Sequence, residues 1–147
     1  MYSASIEIPA TPSKVFAVLT DVSLLKQWTP EIIEVRPPEG GLRVGAVSSA
    51  LVEEFGRRFY AELVIAALEP DEKIAYDMTT PMFSGRVEYV LTPLPPGTNL
   101  SLVLVPNPPK GIPRLMARTL AVLTKPLIMR RLRSRLAALR RVVQANR

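Results

Sequence analysis

The 147-residue sequence contains no cysteine and no histidine. Between them these residues supply most zinc ligands, all thiol nucleophiles and the commonest general base, so disulfides, zinc clusters, cysteine proteases and Ser-His-Asp triads are excluded. A metal would need an all-oxygen cage, and no Asp-rich loop of the calcium-binding type is present; neither a metal site nor a cofactor is expected. Aromatic residues are few, with a single tryptophan and none beyond Tyr89. That removes the stacking platform used for single-stranded nucleic acid, and no nucleic-acid partner is expected. The opening stretch MYSASIEIPATPSK has no basic segment ahead of an apolar run, so no signal peptide is expected. The longest uncharged run, Tyr89 to Pro109, is 21 residues but holds six prolines, too many missing donors and ring clashes for a membrane-spanning helix. A cysteine-free chain suits a reducing compartment, and a cytoplasmic location is expected.

What is present is ordinary for a globular chain: 48% hydrophobic and 22% charged residues, enough to build a core and too apolar for intrinsic disorder. With no repeat, linker or low-complexity tract, residues 1–147 read as one domain. Net charge is +6, unevenly spread: residues 1–88 hold all 13 acidic residues and 8 basic ones, whereas residues 89–147 hold 11 basic residues and no acid. The last third is a basic element on a mildly acidic body.

Proline, glycine and alternation divide the chain. Tyr2 to Ile8 alternates and reads as a strand; Thr11-Pro12 then offers an N-cap and a proline at the first helical position, with Val15, Phe16 and Leu19 as the apolar stripe of a short helix. Asp21 can cap a second brief helix ending at Trp28, because Pro30 keeps the residue before it out of the α region. Ala46 to Phe55, Arg58 to Glu69, Lys73 to Thr79, Phe83 to Thr92 and Thr98 to Val105 form an antiparallel meander separated by turn residues. Beyond the proline-rich crossing at Pro106 to Pro113 the period becomes helical, with Leu120, Leu123, Leu127, Leu132, Leu136, Leu139 and Val143 in register. A single helix from Pro113 to Ala145 would span roughly 50 Å, against about 29 Å for seven strands; a kink or break is expected at Pro126.

Alternation also sorts faces. Phe59, Ala61, Leu63 and Ile65 share one side, with Ile74, Tyr76 and Met78, then Val87, Tyr89 and Leu91, then Leu100, Leu102 and Leu104, on the strands that follow. Arg58, Glu62, Asp77, Arg86 and Glu88 take the solvent side. The inner face therefore carries almost no ionisable group, and a sheet curled around one helix tends to enclose a cavity. The parity of Ala46 to Phe55 is open: either Ser49, Leu51 and Glu53, or Ala50, Val52 and Glu54, point inward.

Several stretches resemble one superfamily: Pro12 to Asp21 running on to Trp28-Thr-Pro30, Gly45 before a strand, Leu68-Glu-Pro70, and Leu91-Thr-Pro93 with Gly97-Thr98-Asn-Leu100. Together they look like the START-related (SRPBCC) superfamily, and most like its bacterial polyketide cyclase/dehydrase-type members. The resemblance implies an α+β helix-grip fold: a seven-stranded antiparallel sheet around a long C-terminal helix, two short helices after the first strand, and a deep pocket for a hydrophobic small molecule. It says less about activity, since this fold hosts carriers, receptors and cyclases.

Six residues are the candidate ligand-binding set: Trp28, Leu63, Tyr76, Met78, Tyr89 and Leu102. Trp28 can stack on a flat ligand or simply pack the short helices onto the sheet. Tyr76 and Tyr89 can hydrogen-bond a ligand carbonyl, donate to an enolate, or be ordinary core tyrosines. Glu53 and Glu54 are the only acids expected to be able to enter the pocket, but Arg57 and Arg58 lie across a tight turn to pair with them, and no catalytic residue is assigned. The arginines at 130, 131, 133, 135, 140 and 141 read as a solvated face on a helix whose leucines are buried, or as a peripheral contact with an anionic membrane. The leading expectation is binding, transport or sequestration of a lipid, isoprenoid or polyketide-like compound. A polyketide aromatase/cyclase acting on a poly-β-keto chain is the enzyme alternative, and an interaction protein using its basic helix is the third.

Overall fold

The computed structural model describes residues 1–108 and 111–146; Pro109 and Lys110, in the expected proline-rich crossing, and Arg147 lie outside them. In chain order the elements are β1 (Tyr2–Ile8), α1 (Pro12–Leu19), a 3-10 turn (Val22–Leu24), α2 (Leu25–Trp28), β2 (Ile32–Arg36), β3 (Val47–Glu54), β4 (Arg57–Glu69), β5 (Lys73–Thr79), β6 (Ser84–Leu94), β7 (Gly97–Pro106) and α3 (Arg114–Ala145). The strands form one antiparallel seven-stranded sheet in the order β1-β7-β6-β5-β4-β3-β2. Local chemistry starts the short helices as expected. Thr11 Oγ1 accepts from the Lys14 amide, and Asp21 Oδ1 accepts from the Ser23 amide at 2.9 Å.

Turn residues set the register. β3 and β4 are joined by Phe55 and Gly56, both at positive φ (52° and 72°), the geometry a two-residue hairpin turn requires. Gly97 sits so close to β1 that a Cβ would press on the Ile8 carbonyl oxygen, and its neighbour Thr98 donates from Oγ1 to the Ala10 carbonyl at 2.7 Å. The first and last strands are thereby locked together with Ile8 opposite Thr98.

The main core lies between the sheet and the C-terminal half of α3. Leu132, Leu136, Leu139 and Val143 are all buried against Tyr89, Leu100 and Leu102, with Val15, Val18 and Trp28 closing one end. A smaller cluster, Ala50, Val52 and Ala61, gathers Ile32, Val35 and Phe59 beneath β2 to β4. Each fully buried Leu or Val contributes about 1.5–3 kcal/mol.

Three expectations are corrected. Ile32–Arg36 is an additional strand: its alternation, Ile33-Glu34-Val35-Arg36, is only four residues long, and pairing with β3 makes it a strand that shields that neighbour's edge. Of the kink or break expected at Pro126, the break does not occur: α3 continues through it. The carbonyl that loses its partner there belongs to Val122, which is 72% exposed, so water can satisfy it. The excess helix length is accommodated by exposure instead: among residues 114–127 only Ala117 is even half-buried. Leu120, Leu123 and Leu127 therefore leave the core they were expected to join.

Candidate functional site

The sheet curls around α3 without filling the space, leaving a cavity of about 480 Å³. Its walls include all six sequence-derived candidates, Trp28, Leu63, Tyr76, Met78, Tyr89 and Leu102, with Ile128 and Leu132 of α3 on the opposite side. The antiparallel pairing accounts for this convergence: Leu63 stands opposite Met78 and Tyr89 opposite Leu102, and side chains at paired positions share a face. The register also resolves the parity of β3. Val52 faces Phe59 and Ala50 faces Ala61, so Ala50, Val52 and Glu54 look inward and Ser49, Leu51 and Glu53 outward.

Three aromatic rings meet in the wall. Trp28 and Tyr89 pack edge to face with centroids 5.9 Å apart, and Tyr76 lies 6.5 Å from Tyr89. Trp28 Nε1 and Tyr89 OH are buried with no hydrogen-bond partner among the described residues. Burial raises the pKa of Tyr76 to about 12, with its hydroxyl near that of Tyr89 acting in the opposite direction. Tyr89 is pushed well above 10 by burial and by the neighbouring Tyr76. Both phenols therefore stay protonated through the physiological range and serve as donors, not bases.

The cavity is less free of charge than the alternation predicted. Asp21, Glu31, Glu54, Arg131 and Arg135 all border it. Arg135 is paired with Glu31 and Arg131 with Glu54, so two ion pairs fasten α3 to the segment before β2 and to the end of β3. Glu53 forms the expected pair with Arg58, at 3.5 Å, but Glu54 reaches α3 instead of Arg57 because its parity is inward. Burial lowers the Arg135 pKa to about 10, which still leaves it cationic at neutral pH. Arg131 also lies 5.6 Å from the centre of the Phe55 ring, which the β3–β4 turn holds out at 79% exposure.

Of the arginines expected on the solvent face of α3, Arg135 is drawn inward to 27% side-chain exposure, whereas Arg131 keeps half of its side chain in solvent at the cavity rim. They are four residues apart and lie close to the direction of Ile128, Leu132 and Leu139, so a helical projection that followed the arginines as well as the leucines would have found them. Glu31 carries no comparable signal, because its place depends on how the short helices turn the chain back into β2. Among the described residues no group of three or more acidic side chains is placed to hold a metal ion.

A seven-stranded sheet gripping a C-terminal helix around an apolar cavity is the architecture of START-type binding folds. Residues 2–144 match the family described as polyketide cyclase / dehydrase and lipid transport, and the chain belongs to that family. Solved structures show the same fold. The START superfamily protein from Mycobacterium smegmatis is 20% identical, with 99% of this chain and 98% of that one covered and a TM-score of 0.73. The polyketide cyclase-like protein Cgl2372 from Corynebacterium glutamicum is 22% identical over 99% and 91%, with a TM-score of 0.63. DynU16, a protein of the dynemicin biosynthetic locus, is 15% identical with a TM-score of 0.70; 99% of this chain is covered but only 47% of that one. No curated protein sequence matches. At these identities the structural likeness is one of fold.

Proposed function

We propose that the protein binds a hydrophobic small molecule, such as a lipid, isoprenoid or polyketide-like compound, in the cavity between the sheet and α3. The observation that carries this reading is the cavity itself: about 480 Å³ lined mainly by apolar side chains, within the 300–1,000 Å³ range typical of ligand sites. Trp28, Leu63, Tyr76, Met78, Tyr89 and Leu102 form the contact set. A ligand carbonyl or hydroxyl that reaches Trp28 Nε1 or Tyr89 OH gains a hydrogen bond with no protein partner to displace. Binding is favoured over catalysis because, of the carboxylates bordering the cavity, Glu31 and Glu54 are each engaged by an arginine and Asp21 accepts from the amide and hydroxyl of Ser23, while the two phenols are donors alone.

The test is titration of the purified chain with hydrophobic dyes and fatty acids, following Trp28 fluorescence and melting temperature. Ligands of this class should quench Trp28 and stabilise the native state by RT ln(1 + [L]/Kd), about 2.7 kcal/mol at a hundredfold excess over Kd. Leu63→Arg should abolish both responses while the circular dichroism spectrum still reports a folded chain, because an unpaired charge in an apolar cavity costs several kcal/mol. A broad panel that changes neither fluorescence nor melting would refute the reading.

A further inference from the structure

The buried half of α3 and the cavity account for one another; the exposed half is used by neither. Among its exposed side chains are Leu115 (77%), Val122 (72%), Leu123 (71%) and Leu127 (61%), together with Met116 and Leu120. At 100° per residue these six fall within an arc of roughly 160°, one continuous apolar face about three turns long. Arg114, Arg118 and Lys125 project together on the flank of that face, and Arg130 and Arg131 close its C-terminal end. Over its 32 residues α3 carries nine Arg or Lys and no acid. Tyr2 OH, 3.5 Å from the Ala121 carbonyl, is where this half leans on the edge strand β1.

We propose that residues 114–127 dock on an anionic membrane surface, with the leucine face in the headgroup and acyl boundary and the basic flank against the lipid phosphates. An amphipathic helix with an aliphatic face and an exclusively cationic flank is complementary to such a surface. No helix of the described residues is long and apolar enough to cross a membrane, and this segment lies in the interface plane. A second copy is a poor occupant, since apposing two such helices sets arginine against arginine with no acid on either. Leu127 is one turn before Arg131, which borders the cavity beside Phe55. Docking by this face therefore brings that end of the cavity toward the bilayer.

The experiment is flotation of the purified full chain with vesicles of phosphatidylcholine alone or of equal phosphatidylcholine and phosphatidylglycerol. Binding to the anionic vesicles should exceed that to neutral ones about tenfold or more and fall in high salt. The triple variant Leu115→Ser, Leu123→Ser, Leu127→Ser should lose at least about tenfold, as should Arg114→Gln, Arg118→Gln, Lys125→Gln. All six side chains are exposed, so an unchanged melting temperature is the folding control. Absence of flotation with anionic vesicles overturns the proposal, as does a serine variant that floats like the wild type. A stable dimer abolished by the serine substitutions assigns the face to self-association and also overturns it. The dye titrations are done without vesicles, so cavity binding stands or falls separately from membrane docking.

Discussion

The two halves of α3 are written in nearly the same alphabet, leucines at helical spacing among arginines, yet they meet opposite environments. Leu132, Leu136 and Leu139 are 8%, 1% and 0% exposed, whereas Leu115, Leu123 and Leu127 exceed 60%. Periodicity specifies which side of a helix is apolar. Whether anything covers that side depends on where the sheet ends, and the sheet is shorter than the helix. In the first half even the arginines behave differently from those further on: Arg131 and Arg135 turn toward the cavity and take glutamate partners, while Arg114 and Arg118 stay in solvent.

The sharpest way to break this comparison is to truncate one leucine in each half. Leu136→Ala should destabilise the protein by about 2–5 kcal/mol, the range for a cavity cut into a packed core. Leu123→Ala should change stability by no more than about 0.5 kcal/mol. Urea denaturation at equal m-value measures both, and equal losses would show that the exposed half is packed in solution.

Pro126 gives the next effect. Its replacement by Ala restores a donor for the Val122 carbonyl and removes a helix-interior penalty of up to about 3 kcal/mol. Because residues 114–125 are held mainly by their own backbone bonds, the gain should appear as slower amide exchange in that segment and added ellipticity at the helix band, with little change in the global urea midpoint. A midpoint that rises by the full amount would mean the two halves unfold together.

The smallest effect concerns the cavity wall. Tyr76 has a folded-state pKa raised to about 12 from 10.0, so the unfolded chain releases its proton first as pH rises. This contribution is fully present below pH 10, declines as pH climbs from 10 toward 12, and is exhausted above 12. Tyr76→Phe should therefore flatten the alkaline fall in melting temperature, leaving the remainder to Tyr89. If wild type and variant lose stability in parallel over that range, the ring is more hydrated than its position in the wall implies.

Much of the cavity was legible before folding was considered. From Arg58 to Leu104 alternation holds in most strands, broken by the apolar run and register shift at Ile65 to Ala67, and turn residues punctuate each strand; this placed Leu63, Tyr76, Met78, Tyr89 and Leu102 on one wall. Elsewhere local pattern lacked the information. Ser48 to Glu54 reads equally well in either parity, and only the pairing of Val52 with Phe59 turns Glu54 inward. Ile33 to Arg36 alternates over four residues only, too short a run to mark a strand, and it becomes one because β3 offers it an open edge.

By itself the sequence determined the identities of most elements, the apolar side of most strands, the caps of α1 and of the turn at Asp21, and the absence of thiol and imidazole side chains, because these depend on neighbours within a few residues or on composition. Tertiary structure alone decided that Glu31 meets Arg135 across 104 residues and that α3 passes through Pro126. It also decided that half of its leucine stripe remains in solvent. Those outcomes depend on which surfaces arrive opposite one another when the sheet curls, and no local spacing encodes that distance.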